Sequence, residues 1–231
     1  MKLEILPIEG MPEVRPGDDL ADMIAATGVV HSGDILVVTQ KIVSKAENQL
    51  VAIDPTDPLS HKPLVERESV RILRRRGELI ISQTRHGFVC ANAGIDLSNV
   101  ARGQAALLPI DSDRSARGIR DRLKARIGVE VGVVISDTFG RPWRRGVTDV
   151  AIGCAGIAAV VDLRGSTDAL GRELMVTEVT AVDEIAAAAD LVMGKAKGIA
   201  AAIVRGLPPE WFRPASVAGE IVRDPADDLF R

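Results

Sequence analysis

The chain contains no tyrosine, and aromatic residues make up only 3% of its 231 positions. Base-stacking platforms and aromatic carbohydrate surfaces are therefore excluded. Excess positive charge is also lacking. The net charge is -3 and the pI about 5.7, which argues against charge-driven nucleic-acid binding and leaves room only for a local basic pocket. The two cysteines, Cys90 and Cys154, form no CxxC and sit among apolar or small residues, so they read as buried, reduced thiols. The three histidines are dispersed, so any metal should be a hard cation held by oxygen. The first ten residues, MKLEILPIEG, lack a signal peptide's apolar core, and no run reaches the ~18 apolar residues of a membrane span. A cytoplasmic protein without membrane contact is expected. Phosphate loops of the GxxxxGK[ST] type, GxGxxG after a strand, HExxH, GxSxG and calcium-loop motifs are all missing; Gly194-Lys195 has neither the preceding glycine nor the following hydroxyl.

What is present is an ordinary globular composition, 46% hydrophobic and 26% charged, long enough for one large domain or two intimate lobes. Strands are predicted at Lys2–Ile8, Asp34–Thr39, Glu78–Gln83, Val131–Ser136, Ile157–Leu163, Leu174–Thr180 and Ile199–Val204. Helices are predicted from Asp18 or Asp19 to Gly28, over Pro63–Arg76 with its terminal Arg74-Arg75-Arg76, over Asp113–Gly128 and over Asp183–Met193. Thr84–Asn99 is too rich in Asn, Asp and Gly for a plain helix or strand. Without regular βαβ alternation, the expectation is an α+β fold with mixed sheets and flanking helices.

The stretch Val131–Gly153, VGVVISDTFGRPWRRGVTDVAIG, concentrates chemistry. An apolar strand ends in Ser136-Asp137-Thr138. Arg141, Arg144 and Arg145 follow within a Gly/Pro turn, then Asp149. Oxygen ligands beside guanidinium groups compose a metal-and-phosphate site, although Asp137 could equally cap the next turn. Asp96 in Asn92-Ala93-Gly94-Ile95-Asp96 is a second loop carboxylate that such a site needs, or simply a turn residue. Lys41 and Lys45 share a face if their segment is helical, and otherwise flank a solvated turn.

Five segments in order, GMPEVRPG (10–17), TQKIVSKAE (39–47), GFVCANAGIDLSN (87–99), SDTFGRPWRRGVTDVAIG (136–153) and VRG (204–206), closely resemble the coenzyme F420-0:L-glutamate ligases. The resemblance spans essentially the whole chain. It implies the unusual two-lobed α+β fold of that family, without a P-loop, as a single unit over 1–231 lacking a C-terminal nitroreductase-like domain. It implies addition of L-glutamate to the phospholactyl carboxylate of the deazaflavin F420 precursor, then a γ-linked tail. GTP would be the co-substrate, with Mn²⁺ or Mg²⁺ and assisting K⁺, and the protein a homodimer. By the same resemblance Asp96, Asp137 and Thr138 match the metal positions. Met11, Pro12, Glu13 and Val14 match the first nucleotide loop, and Gln40, Lys41 and Lys45 the guanine-nucleotide loop. Asn99 matches a further nucleotide contact, and Gly194, Lys195, Ala196, Lys197 and Gly198 a late nucleotide loop. Lys45 and Arg141 are the candidates for catalytic positive charge beside Asp137. Arg85, His86, Arg144 and Arg145 are candidates to receive the acceptor's anionic groups, and Asp149 or His86 to take the amine proton. Two positions depart from the family pattern. Lys195 stands where an acidic metal ligand can occur, and Asn48 replaces a glycine, which Asn's tolerance of left-handed backbone accommodates. Two alternatives remain: a non-catalytic GTP-binding regulatory module, and a ligase of the same fold acting on another carboxylate.

Overall fold

A computed structural model describes residues 2–228. In chain order the elements are β1 (Glu4–Pro7), α1 (Leu20–Ala25), β2 (Asp34–Thr39), α2 (Gln40–Ala46), β3 (Leu50–Ala52), α3 (Lys62–Glu68), β4 (Ser69–Arg76), β5 (Leu79–Thr84) and β6 (Val89–Ala91). They continue with β7 (Gln104–Ala106), α4 (Ser112–Ile127), β8 (Gly132–Gly140), β9 (Val147–Ala155), β10 (Val161–Asp162), β11 (Glu178–Val179), α5 (Ala181–Met193), β12 (Ala201–Arg205) and α6 (Val217–Glu220).

The central sheet runs β1-β12-β2-β8-β9. Its β2 and β8 are parallel and every other pairing is antiparallel, so the fold is α+β with a mixed sheet, as expected. Residues 34–38 of β2 and 132–136 of β8 are continuously buried, because helices cover both faces. One face packs against α1 and α4 through Ile24, Ile119 and Leu123. The other packs against α5 through Ile185, Ala189 and Met193. A smaller sheet, β4-β5-β6, stands beside it.

Three sequence expectations are corrected. The helix beginning near Pro63 stops at Glu68, and the basic run lies on the exposed edge strand β4. Ser69 Oγ turns the chain there by bonding Val65 O and Ser82 Oγ, and the strand pairs β5 with two register shifts. Arginines on an open edge also discourage pairing with a foreign strand. Second, β8 does not end at Ser136 but runs to Gly140 as one arm of a hairpin with β9. Third, Ile157–Leu163 and Leu174–Thr180 yield only the two-residue pairings of β10 with β11. Ile157, Ala158 and Ala159 are buried by tertiary packing rather than by a ladder. Asn48 has the left-handed φ of 56° its position requires, and Asp19 caps α1 as read from sequence.

Cys90 and Cys154 are free and buried, and burial pushes each thiol up to about 12. The native protein should therefore take up no thiol label near pH 8, and two labels once denatured. Fast native labelling of either thiol, followed by peptide mapping, would refute this packing.

Candidate functional site

The site follows from strand direction. The parallel strands β2 and β8 finish side by side, with Thr39 opposite Ser136. The antiparallel β12 starts at the same end, with Ala201 opposite Val38. Chain leaving β2 enters α2, and chain leaving α5 passes through residues 194–200 into β12. A cleft of about 500 Å³ opens there, closed on its remaining side by the loop 91–99.

Helix α2 is anchored by buried polar bonds. Gln40 Nε2 donates to Leu107 O at 3.0 Å, and Ser44 Oγ donates to the same carbonyl at 2.6 Å. Lys41 and Lys45 share the face toward the cleft, one turn apart. Lys41 Nζ lies 2.8 Å from Asp96 Oδ2 and also donates to Ser98 Oγ. Lys45 Nζ pairs with Glu13. Burial alone would raise the Asp96 carboxyl, but the Lys41 and Ser98 bonds together hold it below the usual carboxylate range.

Asp137 and Thr138 are neighbours on β8, so their side chains leave opposite faces of the hairpin. Asp137 turns toward Asp96, whose charge it feels, and toward Cys90, whose thiol feels it. Its carboxylate accepts a hydrogen bond from the Thr138 amide, at 2.8 Å. Burial above all, together with the charges of Asp96 and Asp149, pushes its carboxyl up to about 7, against the opposing pull of the Thr138 amide bond and of Lys195. Thr138 faces the other way. It sits opposite Asp149 in the ladder and donates Oγ1 to Asp149 Oδ1 at 2.5 Å. Ser136, two positions earlier on the same face, donates to Asp149 Oδ2 at 2.9 Å. Lys195 Nζ then contacts Thr138 Oγ1 and lies 3.5 Å from Asp149 Oδ1.

Of the residues singled out from sequence, Glu13, Gln40, Lys41, Lys45, Asp96, Asn99, Asp137, Thr138, Asp149, Gly194, Lys195 and Gly198 line this cleft. The remainder of the first loop turns elsewhere. Met11 and Val14 pack on the core, and Pro12 lines a separate apolar groove. Ala196 and Lys197 are exposed outside the cleft, with Lys197 Nζ at 3.5 Å from Val192 O. Arg141, Arg144 and Arg145 lie on the exposed hairpin turn, outside the lining. Arg85 pairs with Glu68, and His86 Nε2 donates to the carbonyls of Pro109 and Ile110 away from the cleft. Ser136, named from sequence only as part of the strand's end, and Asp190, not named at all, also line the cleft. Ser136 had a signal, since a residue two before Thr138 on a strand shares its face. Asp190, on the last turn of α5, had none.

A divalent cation can be tested against these donors. Among the described residues, no three His, Cys, Asp or Glu side chains gather as a ready-made metal cage. The cleft instead offers two carboxylates near one another, Asp96 and Asp137, and a hydroxyl on the neighbouring face. A carboxyl raised by like charges is one that a cation would return to its ionised form. This sparse oxygen set suits a hard ion whose shell is completed by water and phosphate.

A sequence model of the F420-0:Gamma-glutamyl ligase family matches residues 10–206. The chain belongs to that family. Curated relatives match it at full length. The Coenzyme F420:L-glutamate ligase of Methanopyrus kandleri is 44% identical over all of this chain and 98% of its own. Those of Methanothermobacter thermautotrophicus and Archaeoglobus fulgidus are 41% and 39% identical, again over all of this chain and 100% and 97% of theirs. The F420-0:Gamma-glutamyl ligase match takes in the entire cleft, from Glu13 to Ala200.

Proposed function

We propose that this chain is a GTP-dependent ligase that joins L-glutamate to the phospholactyl carboxylate of the coenzyme F420 precursor and then extends a γ-linked tail. The activity for which its full-length relatives are named supports the acceptor and the amino acid. The observation that carries the chemistry is one cleft holding the Asp96–Asp137 carboxylates opposite the Lys41–Lys45 ammonium groups.

A carboxylate does not acylate an amine until one oxygen becomes a leaving group. In the first step the acceptor carboxylate attacks the γ-phosphorus of GTP. A carbon-bound O–P bond forms, the bridging P–O bond breaks, and GDP leaves. In the second, the glutamate nitrogen attacks the acyl carbon of the resulting acyl phosphate. A C–N bond forms, the C–O bond to phosphate breaks, and the nitrogen's proton passes to the departing inorganic phosphate. Mn²⁺ or Mg²⁺ would be held by Asp96 and Asp137 and would supply neutralisation of the phosphate oxygens, whereas Thr138, on the opposite face of the strand, already contacts Lys195. Lys41 and Lys45 are free to contact phosphate once a cation relieves Asp96 and the exposed Glu13 releases Lys45. Arg141 contributes only when the hairpin turn folds over the cleft, whereas Lys45 is in place without movement. Asp149 already accepts from two hydroxyls, so its part is to orient Thr138 rather than to collect the amine proton.

The test is mass spectrometry of deazaflavin products after incubation with the precursor, L-glutamate, GTP and Mn²⁺. The expected result is a ladder separated by one glutamyl residue, lost when GTP is omitted. Nucleotide bound without acceptor-dependent turnover would indicate a regulatory module. A glutamyl ladder on a different carboxylate acceptor would indicate a changed substrate.

A further inference from the structure

The Thr138 side of the cleft already holds a cation belonging to the chain. Thr138 Oγ1 has one proton and gives it to Asp149 Oδ1, so only lone pairs are left to face the cleft. Asp149 is 3% exposed, and its two oxygens are organised by the hydroxyls of Ser136 and Thr138. Asp190 lines the same wall. Burial and then the Asp149 charge raise its carboxyl, with Lys195 as the opposing influence. The Asp149 carboxylate and an outward hydroxyl lone pair thus converge on one point, with Asp190 on the wall beside it, and Lys195 Nζ occupies that point. An ammonium has three donors and no acceptor, which matches a point surrounded only by oxygen. Its stem is 61% exposed, so the head is delivered from the solvent side. The segment carrying it is bounded by Gly194 and Gly198, at φ 58° and 70°, which fixes a tight turn over the cleft.

We infer that Lys195 is a built-in monovalent cation for the Thr138–Asp149 half of the site, restricting a divalent ion to the Asp96–Asp137 half. A metal on Thr138 needs the lone pairs that Lys195 takes, so the two are mutually exclusive there. The inference rests on reading Asp96 and Asp137 as divalent-cation ligands, and the experiment separates the two claims.

Bound Mn²⁺ is counted by electron paramagnetic resonance, with a saturating non-hydrolysable GTP analogue. The wild-type chain should bind one ion, lost in Asp137→Asn. Lys195→Met, a change at an exposed side chain that the fold should tolerate, should bind a second ion. Adding Thr138→Val to Lys195→Met should return the count to one, with a thermal melt confirming that the double variant is folded. A Lys195→Met chain that still binds one ion overturns the inference while leaving the divalent site standing. So does a wild-type chain that binds two, or a second ion that survives Thr138→Val. Absence of bound Mn²⁺ in every chain overturns both claims.

Discussion

Asp137→Asn should lower glutamate addition by roughly a hundredfold or more, about 3 to 4 kcal/mol of transition-state stabilisation. The substitution keeps shape and keeps an oxygen to accept from the Thr138 amide. It removes only the charge that faces Asp96. That charge is costly to keep without a partner, since burial and two neighbouring carboxylates push Asp137 up to about 7. The metal-free variant should therefore be at least as stable as the wild type while nearly inactive, a pairing that a general folding defect does not produce. Initial rates from product mass, set beside urea midpoints, check both halves. Near-normal turnover would remove Asp137 from the chemistry.

The same carboxyl makes metal-free stability depend on pH in a direction that can be worked out. Its ordinary value is 3.8 and its folded value about 7, so between those limits the folded state binds more protons than the unfolded one. Stability therefore falls as pH rises from about 4 to about 7, by at most a few kcal/mol at ~1.4 kcal/mol per unit. Asp183 and Asp190, also raised by burial, act in the same direction, whereas Asp96, held low by Lys41, acts in the opposite one. The stability gap between Asp137→Asn and wild type, measured with chelator present, should widen between about pH 5 and pH 8. A gap that stays constant would show that the Asp137 carboxyl titrates as an ordinary one.

The sequence exposed the carboxylates more readily than their surroundings. Asp34–Thr39 and Val131–Ser136 stood out because strands covered on both faces need unbroken apolar runs, and their shared end is where Asp137 was found. Asp96 was legible through its Asn-Ala-Gly loop. Other features depend on pairings the linear chain conceals. Whether Lys45 faces solvent or Glu13 is decided by packing across 32 positions, and whether Lys195 reaches Thr138 by packing across 57. The arginines of 141–145 drew attention as a charge cluster, yet the strand's continuation to Gly140 carries them beyond the cleft. Strand alternation also separates Asp137 from Thr138, which adjacency in sequence had suggested acting as one.

Gly153→Ala should be strongly damaging although it lies outside the cleft. Gly153 pairs with Ile135 just before the irregularity that lets Ser136 face Ala151, and the start of α4 lies directly on it. A methyl group there would meet Ser112 C and O at 2.4 and 2.5 Å, which are backbone and cannot rotate away, and Ser112 Cβ at 2.6 Å. Its φ is not left-handed, so the demand is for space alone. The helix start cannot simply lift. Asp113, the next residue, accepts from the Cys154 amide at 2.8 Å and from the amides of Val217 and Ala218 at 2.8 and 3.1 Å. Displacing it strands buried donors as well as opening the core, about 1 to 3 kcal/mol for each unsatisfied group on top of a similar overpacking cost. A loss of several kcal/mol is expected, read as a large drop in urea midpoint or as insoluble expression. Asp149 lies four residues earlier on the same strand, so any folded Gly153→Ala should also have a disturbed Thr138–Asp149 pair and weakened turnover. A midpoint unchanged from wild type would mean that α4 does not rest on β9 as described.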